Sequence, residues 1–354
     1  MTPAAPVIVE EKALALFRVA CPEEVELRGP ARLIGHKKGS INEIFHIATA
    51  EKQFALRVRY NEARFQYERG VFKEVLAALL LSDYEKGNET GLDMELASSW
   101  DRINGRRSGK FIPFPQGAGI FHFDFTAARY PGPWAVLEWT GDALGASIDA
   151  AHAFQLGQLI AQIHRMKFKH AYGNLHRLHS GGVDILSEWK DEIGRRNRNT
   201  GYVIAPAEAL LEKLECLHAA SQAAAPQFVL CHNDLHCLNV THTQGSLRLV
   251  DWDNAQIAPK ELDFVKLAHW SRLGPNGYFE PDPAVFASFC AGYGAAPGAI
   301  LSSPIFKLAE LLWLFRVLEF ASVLEQPANP PFWPPHRYAA VLRERLELGA
   351  PHGL

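Results

Sequence analysis

Two short apolar runs, QFVLC at 227–231 and SLRLVDW at 246–252, flank a polar loop that reads HNDLHCLN from His232 to Asn239. Apolar runs of this length beside turn residues predict strands, so the loop is held near both ends and displays its polar side chains. It carries Asp234 and, five residues on, Asn239; the second run brings Asp251, with Asp253 two residues later. A strand–loop–strand of this kind, set in a chain whose second half is otherwise helical in pattern, points to an α+β fold.

Those residue types suit one chemistry well. Moving a phosphoryl group from ATP needs an acceptor for the hydroxyl proton, oxygen ligands that hold Mg²⁺ against the phosphates, and positive charge over the transferring group. Asp234 is placed to meet a hydroxyl, Asn239 and Asp251 supply hard oxygen ligands suited to Mg²⁺, and His232 can brace the loop by hydrogen bonding. Taken singly, an Asp or Asn in a turn is most simply an Asx-turn residue. The constellation, not any member, favours catalysis.

The rest of the chain organises around that segment. After a short helical start, VELRGPARLIG, INEIFHIATA and QFALRVRY alternate as strands, and Phe65, Val71, Phe72, Val75, Leu76 and Leu79 then recur at helical spacing. Residues 82–133 are rich in Gly, Pro and polar residues and predict a long surface insertion that ends in a strand, GIFHFDF. PWAVLEW predicts another strand, and the turn-rich TGDALG after it marks the boundary between an N-terminal lobe, 1–138, and a C-terminal lobe, 139–354. Helices are expected over 183–196, 206–222, 261–271, 283–293, 304–325 and 335–347, after one seeded by Leu156, Leu159, Ile160 and Ile163.

Composition excludes several function classes. With 48% hydrophobic and 21% charged residues in 354, the chain can bury a core and is not a disordered segment. A net charge of -3 without a long basic tract offers no footprint for nucleic acid or an anionic membrane. The N-terminus lacks a signal-peptide pattern and no apolar run is long enough to span a bilayer, so a cytoplasmic protein is expected. Five scattered cysteines without a CxxC pair read as reduced thiols.

The spacing His-x-Asp-x-x-x-x-Asn followed by an Asp after an apolar strand is that of protein kinases. HNDLHCLN with VDWDNAQIAPKELDF resembles more closely the aminoglycoside phosphotransferase and choline kinase superfamily, including the later Glu261 and Asp263. The resemblance implies a two-lobed protein-kinase-like fold, with a small antiparallel-sheet N-lobe and a mostly helical C-lobe. KKGSINEIFHI is similar to that family's nucleotide-covering turn, which would place Gly39, Ser40 and Asn42 at the phosphates. FALRVRY matches the strand whose basic residue, here Arg57, contacts the α- and β-phosphates, and Glu68 in FQYERGVF matches the helical acid paired with it. AVLEWTGDAL resembles the adenine-binding hinge, with Glu138 and Trp139 offering backbone groups.

The resemblance thus implies ATP and Mg²⁺ as cofactors and a small-molecule hydroxyl as acceptor. Acidic residues in the C-lobe would suit an aminoglycoside, Trp270 and Trp313 a quaternary ammonium such as choline, and a sugar or amino-acid alcohol fits equally. Two other functions compete. Read as ligands, His232, Asp234, His236, Asp251 and Asp253 describe a metal-dependent hydrolase, which leaves Asn239, Arg57 and Glu68 without a role. A kinase-fold binding protein without turnover would dispense with the base and metal ligands that are all present here.

Overall fold

The structure, a computed structural model, describes residues 10–38, 42–59, 70–85, 108–112, 114, 116–124, 133–169, 171–175, 177–180, 184–199, 204–243, 245–323 and 333–346. The chain divides into two compact units. Met1–Ala143, Asn174–Arg177 and Val240–Ala255 make the first, and Leu144–Gly173, Leu178–Asn239 and Gln256–Leu354 make the second.

The first unit is built on an antiparallel sheet of β1 (Arg32–Lys38), β2 (Asn42–Ala48), β3 (Gln53–Arg59), β4 (Ser108–Ile112), β5 (Ile120–Asp124) and β6 (Trp134–Glu138), in the order β1-β2-β3-β6-β5-β4. Side chains alternate across a strand, so Phe45 and Ile47 of β2 and Phe54, Leu56 and Val58 of β3 share one face. That face is buried against Ala13, Leu16 and Phe17 of the helix Glu10–Ala20. Arg57 therefore lies on the opposite face, in register with Ile44 of β2 and Ala135 of β6. The helix Gly70–Glu85 packs against a one-turn 3₁₀ segment, Trp252–Asn254.

One local expectation was wrong. The VELR of the first apparent strand lies in a helix, Pro22–Arg28. Pro22 in the first turn has no N–H to lose there, and Glu23 and Glu24 face the positive end of the helix, so local chemistry overrides the apolar alternation.

The second unit is mostly helical: Ala150–Ile163, Ile185–Asn199, Ala207–Ala223, Leu262–His269, Pro283–Tyr293, Pro297–Ser302, Pro304–Val323 and Pro335–Arg345. The six-residue Pro297–Ser302 was not expected, being too short to show a period. Strand Phe228–Cys231 pairs antiparallel with Gln256–Pro259 on one side and Lys167–Phe168 on the other, which fixes where the His232 loop begins. No helix among the described residues is long and apolar enough to cross a membrane.

Helices Ala150–Ile163 and Pro283–Tyr293 cross at two glycines. A Cβ on Gly157 would fall well inside contact distance of the Phe289 carbonyl oxygen, and one on Gly292 would meet that of Phe154 in the same way. Backbone cannot swing aside as a flexible side chain can, so Gly157→Ala must part the helices. It is expected to cost about 2 kcal/mol or more, read as a lower midpoint in urea unfolding with an unchanged m-value.

Candidate active site

In the first unit, charge gathers around Arg57. Its side chain is 4% exposed and its Nη1 donates to Glu74 Oε2 at 2.7 Å; Glu74 is 1% exposed. Nη2 reaches Asp251 Oδ1 at 3.2 Å, and the guanidinium also pairs with Asp253. Burial alone would lower the Arg57 pKa, but the three carboxylates outweigh it and hold the group above its ordinary value. Glu74 is pushed up by burial, with Arg57 pulling it back and Asp253 opposing Arg57. Arg57 is thus a permanent cation. The Asn42 amide lies beside both: with its oxygen toward Arg57 it accepts from Nη2 at 2.7 Å and Nε at 3.2 Å. Lys73 Nζ donates to the Asp253 carbonyl at 2.6 Å.

Local structure aims these groups. Asp251 has φ of 65° and ψ of 61°, a left-handed conformation that is rare for a residue with a Cβ and that a functional site can hold against its cost. Trp252 anchors the turn, fully buried, with its Nε1 donating to the Leu249 carbonyl at 3.1 Å. Asp251 keeps a side chain 44% exposed, whereas Asp253 is buried with an Oδ1 that has no hydrogen-bond partner among the described residues. An orphaned carboxylate oxygen two residues from an exposed one is a donor set that fits a hard, oxygen-seeking cation.

In the second unit, Asp263 is the hub. Its Oδ2 accepts from the His232 N–H at 3.0 Å and its Oδ1 from the Asn233 N–H at 2.5 Å. His164 Nε2 lies 3.0 Å from Oδ2, and its Nδ1 lies 3.0 Å from the Tyr293 hydroxyl. The loop His232–Asn239 therefore hangs from the helix Leu262–His269 through two backbone amides. Asn233 sits at φ of 58°, so the chain turns sharply there before Asp234. Asp234 pairs with Lys266 and with His236 Nε2, the latter at 3.3 Å. Burial would raise the Asp234 pKa, but Lys266 and His236 outweigh it and hold the carboxyl far below the usual range. Leu238 N–H donates to His236 Nδ1 at 3.3 Å, so the proton of a neutral His236 is on Nε2, facing Asp234. Asn239 Nδ2 donates to the Asp234 carbonyl at 3.0 Å, so the amide oxygen is the atom of this side chain that could face a cation.

The first unit thus brings together Asn42, Arg57 and Asp251, and the second brings together His232, Asp234 and Asn239. Gly39, Ser40 and Glu68 lie outside the described residues. Among the described residues, the helical carboxylate that meets Arg57 is Glu74, which sequence reasoning passed over; the signal was a Lys–Glu pair inside the apolar helical run VFKEVLAALLL. Lys266 was also missed, although it lies three residues past Asp263 and so on the same helix face. At the expected hinge, the N–H of Glu138 is bonded to the Gly119 carbonyl at 2.7 Å and that of Trp139 to the Gln53 carbonyl at 3.1 Å. Both amides are therefore taken up within the sheet.

A family model described as the phosphotransferase enzyme family matches residues 37–301. The chain belongs to that family. No protein with a curated description matches it. Among solved structures, this phosphotransferase-family chain is similar to an ethanolamine kinase from Plasmodium vivax at TM-score 0.59 and 12% identity, over 98% of this chain and 92% of that one. It is similar to a choline/ethanolamine kinase family protein from Mesorhizobium loti at 0.53 and 15%, over 95% and 93%. A spectinomycin phosphotransferase in complex with ADP and spectinomycin aligns at 0.52 and 12%, over 97% and 98%. At such identities the likeness establishes the kinase-like fold: an antiparallel-sheet N-terminal region and a helical C-terminal region.

Proposed function

We propose that this phosphotransferase moves the γ-phosphoryl group of ATP to a hydroxyl of a small molecule. The observation that carries the reading is Arg57, buried and bonded at once to Glu74 on the neighbouring helix and to Asp251 at the end of a strand. Such a cation, fixed by one carboxylate and sharing another with a metal, is how kinase-like sites hold nucleotide phosphates. Asp234 would take the hydroxyl proton on a loop fixed by Asp263, and Asn42, Gly39 and Ser40 would line the phosphates. Asp251 in the first unit and Asn239 in the second each carry an oxygen suited to Mg²⁺, whose chemistry would be to offset phosphate charge.

The hydrolase reading is disfavoured by Lys266, because an ammonium against Asp234 stands where a second metal would have to bind. ADP release in the presence of Mg-ATP and a panel of alcohols tests the activity; a protein that binds Mg-ATP and never releases ADP would be the binding module. Mg-ATP is also expected to raise the melting temperature of the wild type. Asp251→Ala should lose that shift while the ligand-free variant still melts cooperatively. Unchanged Mg-ATP binding in Asp251→Ala by calorimetry would remove Asp251 from the metal site.

A further inference from the structure

The acceptor is the open half of the proposed reaction, and the inference below rests on that reading. Lys266 projects from the helix Leu262–His269 onto Asp234 Oδ1, and its Nζ also lies 5.5 Å from the centroid of the Trp270 ring. Trp270 is stacked with Phe279 at 4.7 Å and 13°, and Phe279 in turn packs against the His236 ring at 4.9 Å. The indole surface that could have received a quaternary ammonium thus already has the chain's own cation over it and a phenyl ring stacked on it. The other candidate, Trp313, is stacked with His269 at 4.9 Å and is only 5% exposed.

Among the described residues, the acids around this helix are taken up by partners or, for Glu261, buried and pushed by that burial toward the neutral form. Asp263 is taken up by His232, Asn233 and His164. Glu310 accepts from His269 at 2.8 Å and from Arg345 at 3.0 Å, and Glu280 pairs with Arg272 at 3.2 Å. The charge of Asp234 is itself matched by Lys266. A hydroxyl brought to Asp234 therefore arrives beside a positive charge. Against Lys266 alone, a second ammonium about 5 Å away at an effective dielectric near 20 is disfavoured by roughly two orders of magnitude, and the attraction of the paired Asp234 offsets part of this, leaving a penalty of about tenfold. A neutral hydroxyl compound meets no such barrier, and a carboxylate near the hydroxyl would gain Lys266 as a partner.

We infer that Lys266 sets acceptor specificity, excluding ammonium-bearing alcohols such as aminoglycosides and amino alcohols and admitting neutral or carboxylate-bearing ones. Exclusion of this kind works through an unfavourable element held in the site, not through a better fit to the favoured ligand.

The test uses matched acceptors with Mg-ATP: glycerol, serinol and glycerate; glucose, glucosamine and gluconate; and choline, ethanolamine and streptomycin as further cations. Wild-type kcat/KM is expected to be about tenfold or more higher for the neutral or carboxylate members than for their ammonium counterparts. Lys266→Met should narrow or reverse that ratio, mainly through KM, and Lys266→Arg, which keeps the charge, should preserve it. Preference of the wild type for the ammonium members, or a ratio unmoved in a folded Lys266→Met, would overturn the inference. Should Lys266→Met fail to melt cooperatively, the wild-type ranking and Lys266→Arg still decide it. Transfer to no member of the panel would count against the phosphotransferase reading itself and take this inference with it, whereas transfer with the cationic preference defeats the inference alone.

Discussion

Asp234→Asn is expected to lower kcat about a hundredfold or more while changing Mg-ATP affinity by no more than about threefold. The substitution keeps the size of the side chain but removes the charge proposed to accept the hydroxyl proton. It leaves intact the bonds that the His232 and Asn233 N–H groups donate to the Asp263 carboxylate and that shape the loop. Arg57 and Asp251, proposed to hold the phosphates and the metal, are on other segments, so nucleotide binding should survive. Asp234 is held well below the usual carboxylate range by Lys266 and His236 against the opposing effect of burial. A group with a depressed pKa stays ionised as pH falls through the ordinary carboxylate range, so no acid limb from Asp234 should appear in the kcat profile above about pH 4. Turnover of Asp234→Asn within about threefold of wild type, on an acceptor that the wild type phosphorylates, would show that the proton goes elsewhere.

What could be read from the sequence was local. The runs around HNDLHCLN are short, apolar and bounded by turn residues, and they form strands at Phe228–Cys231 and Ser246–Leu249. The periods of the large helices placed six of them within a few residues, because a buried stripe at helical spacing survives whatever the helix packs against. Long-range partnerships were not legible. The carboxylate of Asp263 bonds amides 31 and 30 residues away, and Lys266 meets an acid 32 residues away. No local pattern encodes which loop a helix face will touch. Glu74 illustrates the limit differently: its burial was signalled by the apolar run around it, but its partner, 17 residues back on a strand, was not. The hinge was blurred for a related reason, since the apolar run in PWAVLEW says where a strand lies and not that its pairing continues through Trp139.

Arg57→Ala is expected to have the second large effect, on stability and on nucleotide binding together. Removing the guanidinium leaves Glu74, 1% exposed, and the buried Asp253 without their shared cation. Breaking a buried pair in this way costs about 3–5 kcal/mol, because the surviving charges stay desolvated. Glu74 is already raised above its ordinary value by burial, with Arg57 as the main opposing influence, so without Arg57 it rises further. The sign of the pH dependence follows: a carboxyl whose folded pKa exceeds its unfolded one binds more protons when folded, so stability falls as pH rises through that window. The variant should therefore be least stable near neutral and alkaline pH and recover part of the loss on acidification toward the ordinary carboxylate range, measured by urea unfolding at a series of pH values. Glu74→Gln should cost less, since it removes a buried charge and keeps an amide oxygen for Arg57 to donate to. Both should raise the KM for ATP, Arg57→Ala more, because it loses the proposed phosphate contact itself while Glu74→Gln only loosens its aim. An Arg57→Ala protein whose stability loss is the same at every pH would show that Glu74 does not depend on Arg57 for its charge, and unchanged ATP kinetics in that variant would take β3 out of the nucleotide site.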